Sequence, residues 1–350
     1  WCRWLICLCR SLMLSSGKPV EQILNAAKEV SISDFFATFF SILQYPAVTL
    51  LTAMLLEIIL PINASWRLSN LAPLFSKLAK KVNRQENSLG QTIFSSVFLP
   101  FFLLCIAIFT ILLLRFCINH DTIVSLLILP FLLESKPVLK TTLQVKRSLE
   151  HDDKELAKKY LQKIMLRDCS KLSLMGVCKA NSEAVAVGLF ANWFSVMVWY
   201  MLLGIEGALI MQMVAVMNRS FSFKEKRTET FGIFIYKFEQ ALLVPSLIVY
   251  LLTMIFSIHI VRIYKNFINH LKFLPNPVTS LVIDTLGSYA NVSLGGPRYY
   301  EGKLVRLARI GGENEPDLYS PLKIYNKLRF SGILFVCFCV VVRIFLYSAA

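Results

Sequence analysis

Charge is what this sequence most lacks. Only 17% of its 350 residues are charged, and acids are the scarcer sign, with 22 Asp and Glu against 37 Lys and Arg. Ordinary soluble domains carry roughly 25% charged residues. Long apolar runs take the place of that charge, and no soluble core of this chain would hold them all. The chain therefore reads as an integral membrane protein. Histidine is rare as well: His120, His151, His259 and His270 are scattered without metal-ligand spacing. No Gly-x-x-x-x-Gly-Lys loop is present, which excludes a P-loop nucleotide site. No Ser, Cys or His nucleophile constellation stands out. Cysteine is not lacking, but its nine copies sit mostly in apolar stretches. The Cys7–Cys9 and Cys337–Cys339 pairs point to different helix faces, so they read as small buried hydrophobes rather than metal ligands.

The net charge is +15. In a membrane protein such an excess gathers in cytoplasmic loops and attracts anionic lipid. Its other use is an anionic substrate, a phosphate or a carboxylate. Nucleic acid is not indicated, because no basic stretch carries a binding motif. Asn63, Asn218 and Asn291 open Asn-x-Ser/Thr triplets, a pattern common by chance, and nothing else points to glycosylation.

The apolar runs set the order along the chain. "WCRWLICLCRSLML" is short, is interrupted by Arg3 and Arg10, and does not read as a complete signal peptide. Residues 1–44 are expected to be an N-terminal extension. The first convincing span is 45–62, with Glu57 inside it. That carboxylate is either a functional group facing protein or water, or one near enough to the interface to stay wet. Residues 63–91 carry Arg67, Lys77, Lys80, Lys81 and Arg84, with Leu71, Leu74, Phe75 and Leu78 at helical spacing. They predict a basic amphipathic helix on a membrane face.

A second span covers 92–117, and a turn at Asn119–His120–Asp121 leads into a short return piece, 122–134, bent at Pro130. Residues 135–183 are polar. "VKRSLEHDDKELAKKYLQKIM" predicts one soluble helix, with a stripe of Leu149, Leu156, Tyr160 and Ile164 and a Glu155–Lys159 pair. The run 184–217 is too long for one perpendicular span, and "GIEG" at 204–207 breaks or kinks it. A basic loop at 218–240, another span, a polar segment at 262–330 and an anchor at 331–350 complete the chain. The expected fold class is an all-α integral membrane protein with about five to six transmembrane or re-entrant helices, plus amphipathic and cytoplasmic helical segments.

Lys and Arg place 63–91, 135–183 and 262–330 in the cytoplasm. That leaves 218–240 outside, despite Arg219, Lys224, Lys226 and Arg227. If "GIEG" is instead a hairpin tip, 218–240 moves inside and the C-terminal segment moves out. The first arrangement is preferred.

The polar segments also carry a pattern. It comprises Arg167, Asp168 and Leu172; then Lys179, Ala180 and Glu183; then Asn276–Pro277; and finally Leu294, Gly295, Gly296, Pro297, Tyr300 and Gly302 in "VSLGGPRYYEGKLV". Over about 45–330 these resemble the CobD/CbiB membrane family of cobalamin biosynthesis, the adenosylcobinamide-phosphate synthases. In that family the equivalent elements are Gly-Arg-Asp-Thr-x-x-Leu, Arg-Ala-x-x-Glu, Asn-Pro and Leu-Gly-Gly-Pro-x-x-Tyr-x-Gly. The chain departs from it where acids are usual: Val187, Gly188 and Ala191 follow Glu183, Asn218 stands for an Asp, and Glu239–Gln240 replaces an Asp-Asp pair. Leu166 and Cys169 replace the Gly and Thr of the first element.

The resemblance implies an amide-forming step that joins a cobyric acid carboxylate to aminopropanol phosphate. ATP and Mg²⁺ are the expected co-reactants, the corrinoid is a substrate rather than a cofactor, and the metal ligands are unknown. Arg167 would clamp phosphate or carboxylate, with Lys179 as a second cation. Asp168 and Glu183 would be the remaining base or metal candidates. Gly295, Gly296, Arg298 and Tyr300 would bind substrate. Each has a plainer alternative: a helix-end ion pair for Arg167–Asp168, an interfacial carboxylate for Glu183, and a tight docking turn for the glycine loop. The implied location is a bacterial inner membrane, with lipid and other cobalamin-pathway proteins as partners. An AmpE-like branch, with "VMVWYMLLG" as the similar stretch, raises the rival of a catalytically degenerate regulatory or sensor protein. A small-solute transporter ranks last, because no inverted repeat is visible.

Overall fold

A backbone in hydrocarbon must satisfy its own N–H and C=O groups, so apolar runs of this kind form helices. A computed structural model describes residues 45–349 apart from 85, 166–167, 171, 224–227, 271–276 and 301–302. The expected extension, 1–44, lies outside the described residues.

The described part starts with α1 (Pro46–Ile59), two short 3-10 turns and α2 (Ala72–Val82). Then come α3 (Leu89–Ile118), α4 (Asp121–Leu132), α5 (Ser135–Glu150) and α6 (Lys154–Gln162). A long pair follows: α7 (Leu174–Leu189), a π turn at Phe190–Phe194, and α8 (Ser195–Ser220). The rest is α9 (Glu229–Met254), α10 (Ile260–His270), α11 (Pro277–Ala290), four three-residue strands and α12 (Ser320–Ala349). Among the described residues, five helical stretches are long and apolar enough to cross a membrane: Leu89–Ile118, Asp121–Glu150, Leu174–Ser220, Glu229–Met254 and Ser320–Phe345. The protein is an all-α membrane protein. The outer face of α3 shows why: Phe94, Phe98, Phe101, Phe102, Phe109 and Phe116 are all exposed, as lipid-facing residues must be.

Local chemistry sets the breaks. A capping box between Ser88 and Gln91 starts α3. Asn119, at φ 52°, ends it with a left-handed residue, at the turn the sequence predicts. The polar segment predicted as one helix is two, α5 and α6. Asp152 adopts φ 57°, and the Asp153 carboxylate accepts the Leu156 N–H at 2.9 Å. These short acids compete with the helix for backbone donors. The break also changes the stripe: Leu149, Ala157 and Leu161 are buried, whereas Leu156 and Ile164 are exposed. Glu155 pairs with Lys158, not Lys159.

The 47-residue run 174–220 reverses at Gly204, which has φ 68° and ψ −154°. Arg219 then hydrogen-bonds to Asn192 at 3.0 Å, although a straight helix would hold residues 27 apart about 40 Å away from each other. "GIEG" is thus a hairpin tip. Its Glu206 pairs with Arg115, which also meets Asp121 at 3.1 Å, so the tip is clamped to the α3–α4 turn.

The preferred arrangement, with 218–240 opposite the other basic segments, is overturned. Ser69, Gln162, Phe223, Tyr236, Gly295 and Arg298 line one cavity. Tyr236 near the start of α9 lines it as well, and Tyr250 near the end of α9 hydrogen-bonds at 2.9 Å to Thr285 of α11.

The loop 293–311 forms two small antiparallel pairs, β1 (Ser293–Gly295) with β4 (Arg309–Gly311) and β2 (Arg298–Tyr300) with β3 (Lys303–Val305). The core beneath is aromatic: Phe190 and Phe194 meet Tyr250 edge-on, with centroids 5.7 and 5.9 Å away. Gly332 lets α12 close onto Trp193, since a Cβ there would lie 2.5 Å from the indole ring.

Candidate functional site

A cavity of about 630 Å³ opens where the polar segments converge. Its volume is that of a small-molecule site. Its lower wall is the continuous helix from α7 through the π turn, which places Glu183 and Asn192 about 13 Å apart along one axis.

The first pole is built on the π turn. A π bulge frees a carbonyl, and here the Asn192 Nδ2 donates to the Gly188 carbonyl at 2.8 Å. Asn192 Oδ1 accepts from Arg219 Nη2, and its backbone carbonyl accepts from Glu134 N at 3.2 Å. Glu134, 3% exposed at the end of α4, accepts from Ser69 N at 3.2 Å and lies 3.8 Å from Arg219. Beside them Asn218 donates to Glu239. Asn192, Asn218, Arg219, Glu134 and Glu239 all line the cavity.

The second pole is the glycine loop. Glu183, 2% exposed, accepts the Gly295 N–H at 2.7 Å and pairs with Arg298 at 3.1 Å. Gly295 and Gly296 stand at φ 74° and 81°, a left-handed run that favours glycine. A Cβ on Gly295 would lie 2.5 Å from the Ala308 carbonyl oxygen, and one on Gly296 would lie 3.2 Å from Lys179 Nζ. Lys179 and Glu183 are thereby brought together with Gly295, Gly296 and Arg298, which lie 112 or more residues further along the chain.

The other expected residues are not part of this cluster where they are described. Asp168 accepts from the Ser170 N–H at 2.9 Å and hydroxyl at 2.7 Å, closing its own turn, and is not in the cavity lining. Arg167 lies outside the described residues, as does Asn276. Tyr300 pairs through its backbone with Lys303 at the β2–β3 hairpin. Glu57 is neither wet nor in the cavity. It is 1% exposed and sits at the N-terminus of α5, accepting from Ser135 N at 2.8 Å, Ser135 Oγ at 2.9 Å and Lys136 N at 3.2 Å, with Arg67 at 3.8 Å. This is an anion on a helix dipole, tying α1 to α5.

Among the described residues the donor set does not fit a protein-held Mg²⁺. Among the described residues no three His, Cys, Asp or Glu side chains group as metal ligands. The cavity carboxylates are each committed: Glu134 to Ser69 N, Glu183 to Gly295 N and Arg298, and Glu239 to Asn218. Octahedral Mg²⁺ needs free carboxylate oxygens.

Comparison with known proteins fits this pattern. The CobD/Cbib protein family model matches residues 50–329. A probable cobalamin biosynthesis protein CobD of Pyrococcus abyssi is 26% identical over 135 residues, 37% of this chain and 47% of that protein. The cobalamin biosynthesis protein CobD of Clostridium perfringens is 26% identical over 228 residues, 61% of this chain and 70% of that protein. A further probable CobD, of Thermoplasma acidophilum, is 24% identical over 120 residues, 31% of this chain and 40% of that protein. The chain thus spans about half the length of the Pyrococcus relative and less of the Thermoplasma one. No solved structure matches. Since the family model runs from residue 50 to residue 329 of 350, across both poles of the cavity, the chain belongs to the CobD/Cbib protein family.

Proposed function

We propose that this protein works in cobalamin biosynthesis at a bacterial inner membrane, binding an aminopropanol phosphate and a corrinoid carboxylate in the cavity between Arg219 and Arg298. The observation that carries this reading is the pair of cationic poles in one cavity, each built on a buried carboxylate, Glu134 and Glu183. A phosphate at one pole and a carboxylate at the other suit two guanidinium groups. Holding both reactants in one frame lowers the entropic barrier to joining them. In amide formation the amine nitrogen bonds to the activated carbonyl carbon and loses a proton, and the carboxylate oxygen leaves on the phosphoryl group that activated it. ATP is the phosphoryl donor for that activation. Glu183 holds the glycine loop and Arg298 in place, and is a positioning residue in this account.

A degenerate, binding-only protein is the second reading. A specific observation favours it: Val187, Gly188, Ala191 and Asn218, the positions where the resemblance leads one to expect acids or amides, all line the cavity. Complementation separates the two. A strain lacking its own synthase and fed cobyric acid grows if this gene supplies the step. Absence of growth at every expression level overturns the synthase reading and leaves the binding one.

A further inference from the structure

A second cavity, about 420 Å³, lies apart from the first, between the α9–α10 connection, the end of α11 and the first turns of α12. Its lining comprises His259, Arg262, Tyr289, Asn291, Lys323 and Asn326, with no carboxylate among its described residues. Arg262 Nη2 lies 3.1 Å from His259 Nδ1. Lys327, 5% exposed, sits 4.9 Å from the Tyr289 ring centroid, a third basic side chain behind the aromatic wall. The one described acid near a lining cation is Asp317, 3.8 Å from Lys323, with both side chains about half exposed. Such a pair is loose and contributes little.

The surroundings point to the kind of anion. Phe256, Ile258, Val261 and Tyr264 flank His259 and Arg262 in sequence and are 72%, 86%, 79% and 64% exposed. On a membrane protein that face is lipid-covered, so the cationic cavity opens at the headgroup level.

We propose that this cavity holds the phosphate of an anionic phospholipid. Arg262 offers its planar fork to two phosphate oxygens, Lys323 supplies a point charge, and Asn291 and Asn326 supply amide donors. The acyl chains run along the apolar face of α10. A choline headgroup would bring its own cation against Arg262, Lys323 and Lys327, so zwitterionic lipid is disfavoured.

The test uses the full chain in detergent, titrated with phosphatidylglycerol, phosphatidylcholine or glycerol 3-phosphate and read by native mass spectrometry. The expected result is one tightly retained phosphatidylglycerol, weakened about 30-fold in the double variant R262Q/K323Q. Phosphatidylcholine is not retained, and K77Q/K80Q on α2 changes nothing. The charge-keeping pair R262K/K323R retains most of the affinity, which guards against a variant that merely misfolds. Equal retention by wild type and R262Q/K323Q overturns the proposal, as does a loss in R262K/K323R as large as in the glutamine pair. Glycerol 3-phosphate binding as tightly as the lipid also overturns it, in favour of a soluble phosphate site.

Discussion

Two adjacent glycines predict unequal costs for the same substitution. Both Gly295 and Gly296 have positive φ, so alanine at either costs about 1–2 kcal/mol of backbone strain. At Gly296 the added Cβ meets the Lys179 ammonium at 3.2 Å and the Arg309 side chain at 3.6 Å, both movable, and the cost stays near that figure. At Gly295 it meets the Ala308 carbonyl oxygen at 2.5 Å, which is backbone and fixed by the β1–β4 pairing. Forcing that contact apart adds about 1–3 kcal/mol. It also pulls the Gly295 N–H away from Glu183, which sits 2.7 Å from it. Gly295→Ala is therefore expected to destabilise by about 2–5 kcal/mol. At roughly 2 °C per kcal/mol for a chain of this size, it should melt about 4 °C below Gly296→Ala. Thermal unfolding in detergent, followed by helical circular dichroism, reads the difference directly. If Gly295→Ala melts at or above Gly296→Ala, the glycine loop is not seated as described.

Other outcomes follow from the same geometry. Glu183→Gln keeps an acceptor for Gly295 but removes the charge that faces Arg298, so stability should fall by about 1–3 kcal/mol; an unchanged melting temperature argues against a positioning role. Asn192→Ala removes the partners of both Gly188 and Arg219, and should weaken phosphate-ligand binding in calorimetry more than Asp168→Asn, which lies off the cavity. Asp284 of α11 is held above the usual carboxylate range by burial, against the opposing pull of His270 and the Gly311 N–H. Because the folded protein then binds this proton more tightly than the unfolded chain, its contribution favours folding as pH falls through the raised folded value and is lost as pH rises past it. Asp284→Asn should flatten that slope in a melting series from pH 7 to 4, and an unchanged slope removes Asp284 as its source.

Much of the fold was legible because hydropathy is a sum over many residues. The spans, the Asn119 turn and the class all follow from it, and the glycine loop stood out as a polar interruption. Single-residue events were harder. Gly204 was visible only as a break, since nothing local distinguishes a kink from a full reversal. The His151–Asp153 interruption was hidden because helical periodicity runs straight through it. The first pole of the cavity was missed for a different reason. Glu134, Asn192 and Arg219 come from three helices, and only the reversal at Gly204 brings the last two into contact. A signal did exist: Asn192 is a buried amide in an apolar run, the same kind of cue that drew notice to Glu57. At Glu57 that cue led instead to a helix anchor, which shows that a buried polar group marks a tie as readily as a site.

The central claim is that the cavity between Arg219 and Arg298 serves corrinoid amide formation. The direct measurement is conversion by the purified full chain in lipid nanodiscs, supplied with adenosylcobyric acid, aminopropanol phosphate and ATP, and read by mass spectrometry. The account predicts adenosylcobinamide phosphate from the wild type and a marked loss in Arg219→Ala. A wild-type protein that binds the substrates yet forms no product would contradict it.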